Sequence, residues 1–274
     1  MALFGSELSI LFRLVQSLHA EKQRRPRVLC LGYPAILANA QTFANLDFPV
    51  AWDEVVKRED SEAAWRAHGL DMAGTGMCEA ASLFDRMGAN LWVMSDQPHT
   101  GPHVVHDLDY PIAGTLRRQL GEIDLIIDPG VLGGRFNIAQ GFQNIDWLLP
   151  QQAIVYHQAV IASPNHAFWG ISPTAFYDFY RTRGYFLGIP CLWAGQRDAY
   201  GFEPVLQEAM PYEAIPQYPA HFCGSFIFRK GVYASDDPGF PIQHCYSSRS
   251  RNLSFGDFVA DALPATHLFR LNRN

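Results

Sequence analysis

The sequence predicts an α/β fold: a Rossmann-like, doubly wound, mostly parallel sheet of about seven strands with helices on both faces and an N-terminal helical lid. Two observations carry this. From Ile123 to Tyr185 the chain reads as an apolar run, an acidic turn Asp128-Pro129-Gly130, a helix-like segment, a break at Pro150, a β-rich run and an aromatic loop. That order is the second half of a doubly wound sheet, in which ligands bind beyond the carboxyl ends of the strands. The same alternation of short apolar runs with helix-compatible stretches extends over most of the chain, without internal repeats or low-complexity segments.

The elements follow in order. Leu8, Leu11, Phe12, Val15 and Leu18 recur at three- and four-residue spacing and predict an amphipathic helix. Arg27 to Gly32 is a short buried strand ending in glycine. Residues 51–69 are polar and helix-compatible, 72–76 a loop, and Glu79 to Met87 a helix. Ala89 to Met94 is the second strand, closed by Ser95-Asp96, and His103 to Leu108 a shorter third. Leu116 to Leu120 suits a helix, Asp124 to Ile127 the central strand, and Ala153 to Ile161 the next. Pro173 to Arg183 is a helix with proline in its first turn, Ser172 as its cap and Gly184 at its end. Tyr185 to Trp193 and Phe222 to Phe228 complete the sheet, and Asp236-Asp237-Pro238-Gly239 opens a weakly periodic tail. This divides the chain into a helical lid (1–25), a Rossmann-like domain (26–232) and an irregular tail (233–274).

Composition narrows the function. The 274 residues are 48% hydrophobic and 18% charged with net charge −6, as in a soluble globular protein and without the basic footprint of a nucleic-acid binder. The basic cluster Lys22 to Arg27 reads as a helix end rather than a phosphate site. No run of about 18 apolar residues suggests a membrane span. Five scattered cysteines without a CxxC read as reduced thiols, so a cytoplasmic location is expected. His103 and His106 would point to opposite faces of a strand, which argues against a metal site. No GxSxG, GxGxxG or P-loop motif is present.

Three motifs carry a resemblance. Asp128 to Asn137 reads DPGVLGGRFN, Asn165 to Pro173 reads NHAFWGISP, and His106 to Pro111 reads HDLDYP. In this order they resemble a bacterial branch of class I S-adenosylmethionine-dependent methyltransferases, whose motifs run D-G-G-T-L-E-H-V-F-N, G-H-G-F-Y-Q-F-S-P and H-D-L-n-x-P. The resemblance covers about residues 26–230. It implies S-adenosylmethionine, as cofactor or substrate, with Gly32 and Tyr33 near its methionine portion and Asp96 on the ribose hydroxyls. It places Asp107 and Leu108 beside the adenine, and Asp128 and Gly130 close to the sulfonium. Gly133-Gly134 stand where the branch has Glu-His, which removes a carboxylate and an imidazole.

In that frame His166, Asn137 and Tyr177 are the candidate catalytic residues, and Phe168, Trp169 and Tyr180 the candidate substrate contacts, since aromatic faces stabilise a cation. Phe176, Phe179 and Tyr180 sit at helical spacing, which reads first as the core packing of a helix. The implied activity is methyl transfer to a small-molecule amine or similar nucleophile. Two alternatives stay open: a cyclase or lyase in which the substrate's own amine displaces methylthioadenosine, and a non-catalytic scaffold for a partner protein. The partners expected are a small-molecule substrate, but no nucleic acid or membrane; a homo-oligomer or a pathway partner protein is left open.

Overall fold

The computed structural model describes residues 2–46, 48–99, 101–162 and 167–187, together with 191–194, 197–198, 201–202, 207–208, 222–232 and 241. The tail from 233 on therefore lies, but for residue 241, outside the described residues.

The chain opens with strand β1 (Ala2–Phe4), helix α1 (Gly5–Lys22), β2 (Arg27–Leu31), β3 (Ala35–Leu37) and α2 (Ala40–Asn45). Helices α3 (Ser61–Ala67) and α4 (Ala80–Arg86) precede β4 (Asn90–Ser95), β5 (His103–Val105), α5 (Gly114–Leu120) and β6 (Leu125–Pro129). Then come α6 (Ile138–Leu148), β7 (Ile154–Ala162), α7 (Pro173–Thr182), β8 (Tyr185–Leu187) and β9 (Cys191–Ala194). The two-residue strands β10 (Arg197–Asp198), β11 (Gly201–Phe202) and β12 (Gln207–Glu208) lead to β13 (Phe222–Lys230).

Strands β5, β4, β2, β6 and β7 lie side by side and all parallel, with β13 antiparallel against β7. On the far side of β13, β8 and β9 share one interrupted lane, the seventh, and the two-residue β12 pairs with β9 beyond it. Chain order reverses at β2, which sends the connections to opposite sides and makes the sheet doubly wound. The expected α/β fold class is the observed one.

Strand alternation sorts the core onto two faces. Val28, Cys30, Leu125, Ile127 and Tyr156 pack with Leu8, Leu11, Val15 and Leu18 of α1. Leu29, Leu31, Ile126 and Val155 face α6 and α7 on the other side, through Phe142, Ile145, Phe176 and Tyr180. The helix predicted at the N-terminus is thus a packing helix. The element that reaches over the strand ends is β1, which pairs in parallel with β3.

The basic cluster ties the end of α1 to the bottom of the sheet. Arg24 forms a bidentate pair with buried Asp124 at 2.7 and 2.9 Å, the Arg27 N–H donates to the same carboxylate at 2.7 Å, and Arg25 pairs with Asp85. The Ser172 hydroxyl, expected to cap α7, shares its hydrogen bond with Thr174 instead. Among the described residues no helix is long and apolar enough to cross a membrane.

Candidate functional site

Beyond the carboxyl ends of β4, β6 and β7 lies a cavity of about 450 Å³. Asp96, Gly130, Val131 and Gln158 line its floor, Gly134, Arg135 and Ala167 one side, and Ala2, Phe4 and Leu37 of the β1–β3 pair the other. Among the described residues, His68, just after α3, and Cys223, on β13, complete the titratable groups facing it. In the amide orientation that satisfies both neighbours, the Gln158 nitrogen donates to the Ala2 and Pro129 carbonyls at 2.9 and 3.2 Å and so joins the β1–β3 pair to the end of β6.

Gly130 sits at φ +88°, the left-handed region that glycine enters without strain, and it turns the chain sharply off β6. Asp128 secures that turn from inside. Its Oδ1 accepts the Val131 N–H at 2.6 Å, and its Oδ2 lies 2.9 Å from His157 Nδ1. His157 Nε2 is 2.7 Å from the Tyr180 hydroxyl. A neutral imidazole protonated on Nδ1 satisfies both contacts, donating to Asp128 and accepting from Tyr180. All three side chains are buried, and burial pushes the Tyr180 phenol well above its usual range. Asp128 therefore shapes the site from beneath and does not line the cavity.

Asp96 and Asp107 are brought together by a residue outside the expected set. Arg135 Nη1 stands 3.1 Å from Asp96 Oδ2 and 3.4 Å from Asp107 Oδ1. Leu108 is a core residue, and its carbonyl accepts from the buried Asn144 amide, which also holds the Tyr110 carbonyl and the Ile112 N–H. Gly32, at φ +73°, donates its N–H to the Met94 carbonyl, closing β2 onto β4. The Tyr33 ring stacks on His99 at 5.4 Å, and its hydroxyl accepts the Ala81 N–H. Of the seven expected cofactor residues, Asp96 and Gly130 face the cavity.

The catalytic and substrate candidates separate. Asn137 is the N-cap of α6, accepting the Gln140 N–H and donating to the Asp109 carbonyl, and it does not line the cavity. Tyr177 and Tyr180 are fully buried on the inner face of α7, against Phe226 and Phe228, so neither lines the cavity; their helical spacing turns them into the core. His166 lies outside the described residues. Phe168 and Trp169 are exposed, and Phe136 stands between them. The Trp169 indole N–H donates to the Arg135 carbonyl at 2.9 Å, and its backbone N–H to the Gly133 carbonyl at 3.1 Å.

The glycine pair has two separate explanations. A Cβ on Gly133 would come within 3.2 Å of the Trp169 carbonyl oxygen and 3.4 Å of Ala167 Cβ, so the aromatic loop packs where a side chain would stand. A Cβ on Gly134 would meet nothing within 4 Å. Gly134 leaves open space in the cavity wall.

A buried carboxyl also underpins the roof. Glu7 on α1 accepts the Phe4 N–H at 2.8 Å, the Tyr156 hydroxyl at 2.5 Å and the Ser225 hydroxyl at 3.3 Å. Burial raises its pKa from 4.5 to about 7, against the lowering effect of those three hydrogen bonds. Sequence reading missed Arg135, His157, Glu7 and Gln158, because each acquires its role from a partner distant in the chain, and His68, whose place at the cavity depends on how the segment after α3 folds.

No family model and no curated protein matches the sequence. Among solved structures, the chain is similar to the N-methyltransferase NodS from Bradyrhizobium japonicum WM9 in complex with S-adenosyl-L-homocysteine, with 10% identity, 80% of this chain and 85% of that one covered, and a TM-score of 0.40. It is similar also to 1,6-didemethyltoxoflavin-N1-methyltransferase from Burkholderia thailandensis, with 12% identity over 82% and 80% of the two chains and a TM-score of 0.40. TehB from Haemophilus influenzae shares 7% identity over 80% of this chain and 61% of that one, at a TM-score of 0.41. These likenesses are loose.

Proposed function

We propose that the chain binds S-adenosylmethionine in the cavity above β4, β6 and β7 and transfers its methyl group to a small-molecule nucleophile. The observation that carries this is the conjunction of one cavity, about 450 Å³ in volume, with a strand-end carboxylate and a glycine turn at its floor. It lies where doubly wound sheets hold their ligands, and its volume is in the range of roughly 300–1,000 Å³ typical of small-molecule sites. The motif resemblance of residues 128–137 and 165–173 points to the same cofactor.

The residues present suit that cofactor. Asp96 is a carboxylate acceptor for ribose hydroxyls, and it is 45% exposed although paired with Arg135. Gly130 lets backbone approach a ligand closely. Pro129, Val131 and Val160 give an apolar lining, and Ala2 and Phe4 exclude water from above. When bound, the cofactor supplies an electrophilic methyl on a positively charged sulfur. An acceptor held in line would give its lone pair to that methyl carbon, the carbon–sulfur bonding pair staying with sulfur and any displaced proton going to solvent. The chain's contribution to such an in-line displacement is positioning. An amine or thiolate acceptor needs no strong base, which accords with the missing Glu-His pair.

Calorimetric titration with S-adenosylmethionine, followed by mass spectrometry of the same sample, tests this. Saturable micromolar binding is expected, with S-adenosylhomocysteine formed once an acceptor is supplied. Folded protein that shows no heat of binding would refute the reading. Methylthioadenosine released without any acceptor would replace it with self-displacement of the cofactor.

A further inference from the structure

We propose that the methyl acceptor is a flat aromatic molecule without negative charge, seated on Phe136, Phe168 and Trp169 at the mouth of the cavity, with Gly134 admitting its edge. This rests on the cofactor reading above and adds the class of the second reactant.

Singly exposed apolar side chains are ordinary, but a contiguous group is not. Phe136 is 74% exposed, Phe168 71% and Trp169 41%, and the Phe136 ring lies 6.4 and 6.1 Å from the other two. Core packing does not account for rings this open. The Trp169 ring is held in place by its N–H bond to the Arg135 carbonyl, and its backbone by the bond to Gly133. A platform fixed before binding loses little entropy when it is covered.

The platform continues into the cavity. Gly134, Arg135 and Ala167 line it, and each is within two residues of a platform ring. A volume of about 450 Å³ suits one nucleoside-sized ligand, so a second reactant must meet the first from the rim. Gly134, with open space where its Cβ would project, leaves a slot there. Its backbone is not in the left-handed region, so stereochemistry does not demand glycine at this position.

Charge selects further. Arg135 is the cation at this rim among the described residues, and Asp96 and Asp107 both engage it. Asp109 adds a further carboxylate, which accepts the Asn137 N–H. An anionic acceptor would therefore meet excess negative charge, whereas a neutral or cationic ring system would stack without opposition.

The test uses the full chain saturated with S-adenosylhomocysteine and three probes of one skeleton: naphthol, its fully saturated counterpart decahydronaphthol, and naphthoate. Affinities are read by saturation-transfer NMR. Naphthol should bind at least about tenfold more tightly than either other probe, and the Phe136→Ala/Phe168→Ala double variant should lose about fivefold or more of that affinity. In the same variant S-adenosylhomocysteine should bind within about twofold of wild type, since both rings are outside the cavity lining. Equal affinity for naphthol and decahydronaphthol, or undiminished naphthol binding in the variant, overturns the proposal. If wild type fails to bind S-adenosylhomocysteine, the cofactor reading falls on its own, and the probe comparison on the free protein still decides whether the platform selects aromatic rings.

Discussion

Replacing Glu7 with glutamine should remove a pH dependence of folding that the wild-type chain carries in its core. Glu7 is 1% exposed, and its carboxyl joins the Phe4 backbone at the cavity roof to Tyr156 on β7 and Ser225 on β13. Burial is the largest influence and raises its pKa from 4.5 to about 7. A carboxyl whose pKa is higher in the folded state favours folding while it is protonated. That contribution is complete below pH 4.5, falls as pH rises, and is gone above about 7. At about 1.4 kcal/mol per pKa unit, the loss amounts to roughly 3 kcal/mol. Glutamine has the shape of the protonated acid, accepts the Phe4 N–H through its carbonyl, and donates to a hydroxyl through its amide. Urea unfolding, followed by circular dichroism at pH 5 and pH 8.5, should therefore show the variant close to wild type at the lower pH. At the higher pH it should be more stable by roughly 2–3 kcal/mol. Parallel pH dependences for the two proteins would refute the assignment of the titration to Glu7.

Three other substitutions separate the parts of the site. Asp128→Ala removes the acceptor for the Val131 N–H and leaves His157 without its carboxylate, so urea unfolding should show a loss of roughly 3–5 kcal/mol; a loss below about 1 kcal/mol would mean the buried chain to Tyr180 is dispensable. Gly133→Ala forces a Cβ against the Trp169 carbonyl and should cost roughly 1–3 kcal/mol, whereas Gly134→Ala should stay within about 0.5 kcal/mol of wild type. The same unfolding assay reads both, and equal costs would contradict the separate explanations of the pair. Asp96→Ala should weaken S-adenosylmethionine binding by about tenfold in calorimetry, for a charge-assisted hydrogen bond of roughly 1.5–3 kcal/mol at the one expected carboxylate that lines the cavity; unchanged binding would shift the cofactor away from this rim.

The parallel sheet was legible because its strands are short apolar runs whose alternate residues face two packed layers, as Val28 and Leu29 do. Strands β1 and β3 and helix α2 were not, since three to six residues carry no readable period. The stretch from Tyr185 to Trp193 reads as one strand but forms β8 and β9, both paired to β13. In the site, Asp128 and Gly130 announced themselves by a strand end followed by Pro-Gly. The partners that give Asp128 its role did not: His157 looks like any residue of a β-run, and its bond to Asp128 spans 29 positions. Arg135 falls within the 128–137 stretch, yet its pairing with Asp96 depends on two strand ends meeting in space. Tyr177 and Tyr180 show the opposite failure. The spacing that packs them inward was visible, but an aromatic cluster invites a ligand reading.

Gly133 and Gly134 have a physical meaning that bears on the proposed reaction. Gly133 is the cost of seating the aromatic loop, because the Trp169 carbonyl and the Ala167 side chain occupy the volume a side chain would take. Gly134 widens the wall. Neither glycine brings a charged group to the wall, which under the proposed function favours recognition by stacking over acid–base assistance. The titratable groups that remain among the described cavity residues are His68, Asp96, Arg135 and Cys223, and Asp96 and Arg135 engage each other. A site of this composition suits an acceptor that brings its own nucleophilicity and needs to be held rather than activated. Under the proposed function, rate should then follow how well the acceptor fits the Phe136, Phe168 and Trp169 platform, and much less the protonation state of the described side chains that face the cavity.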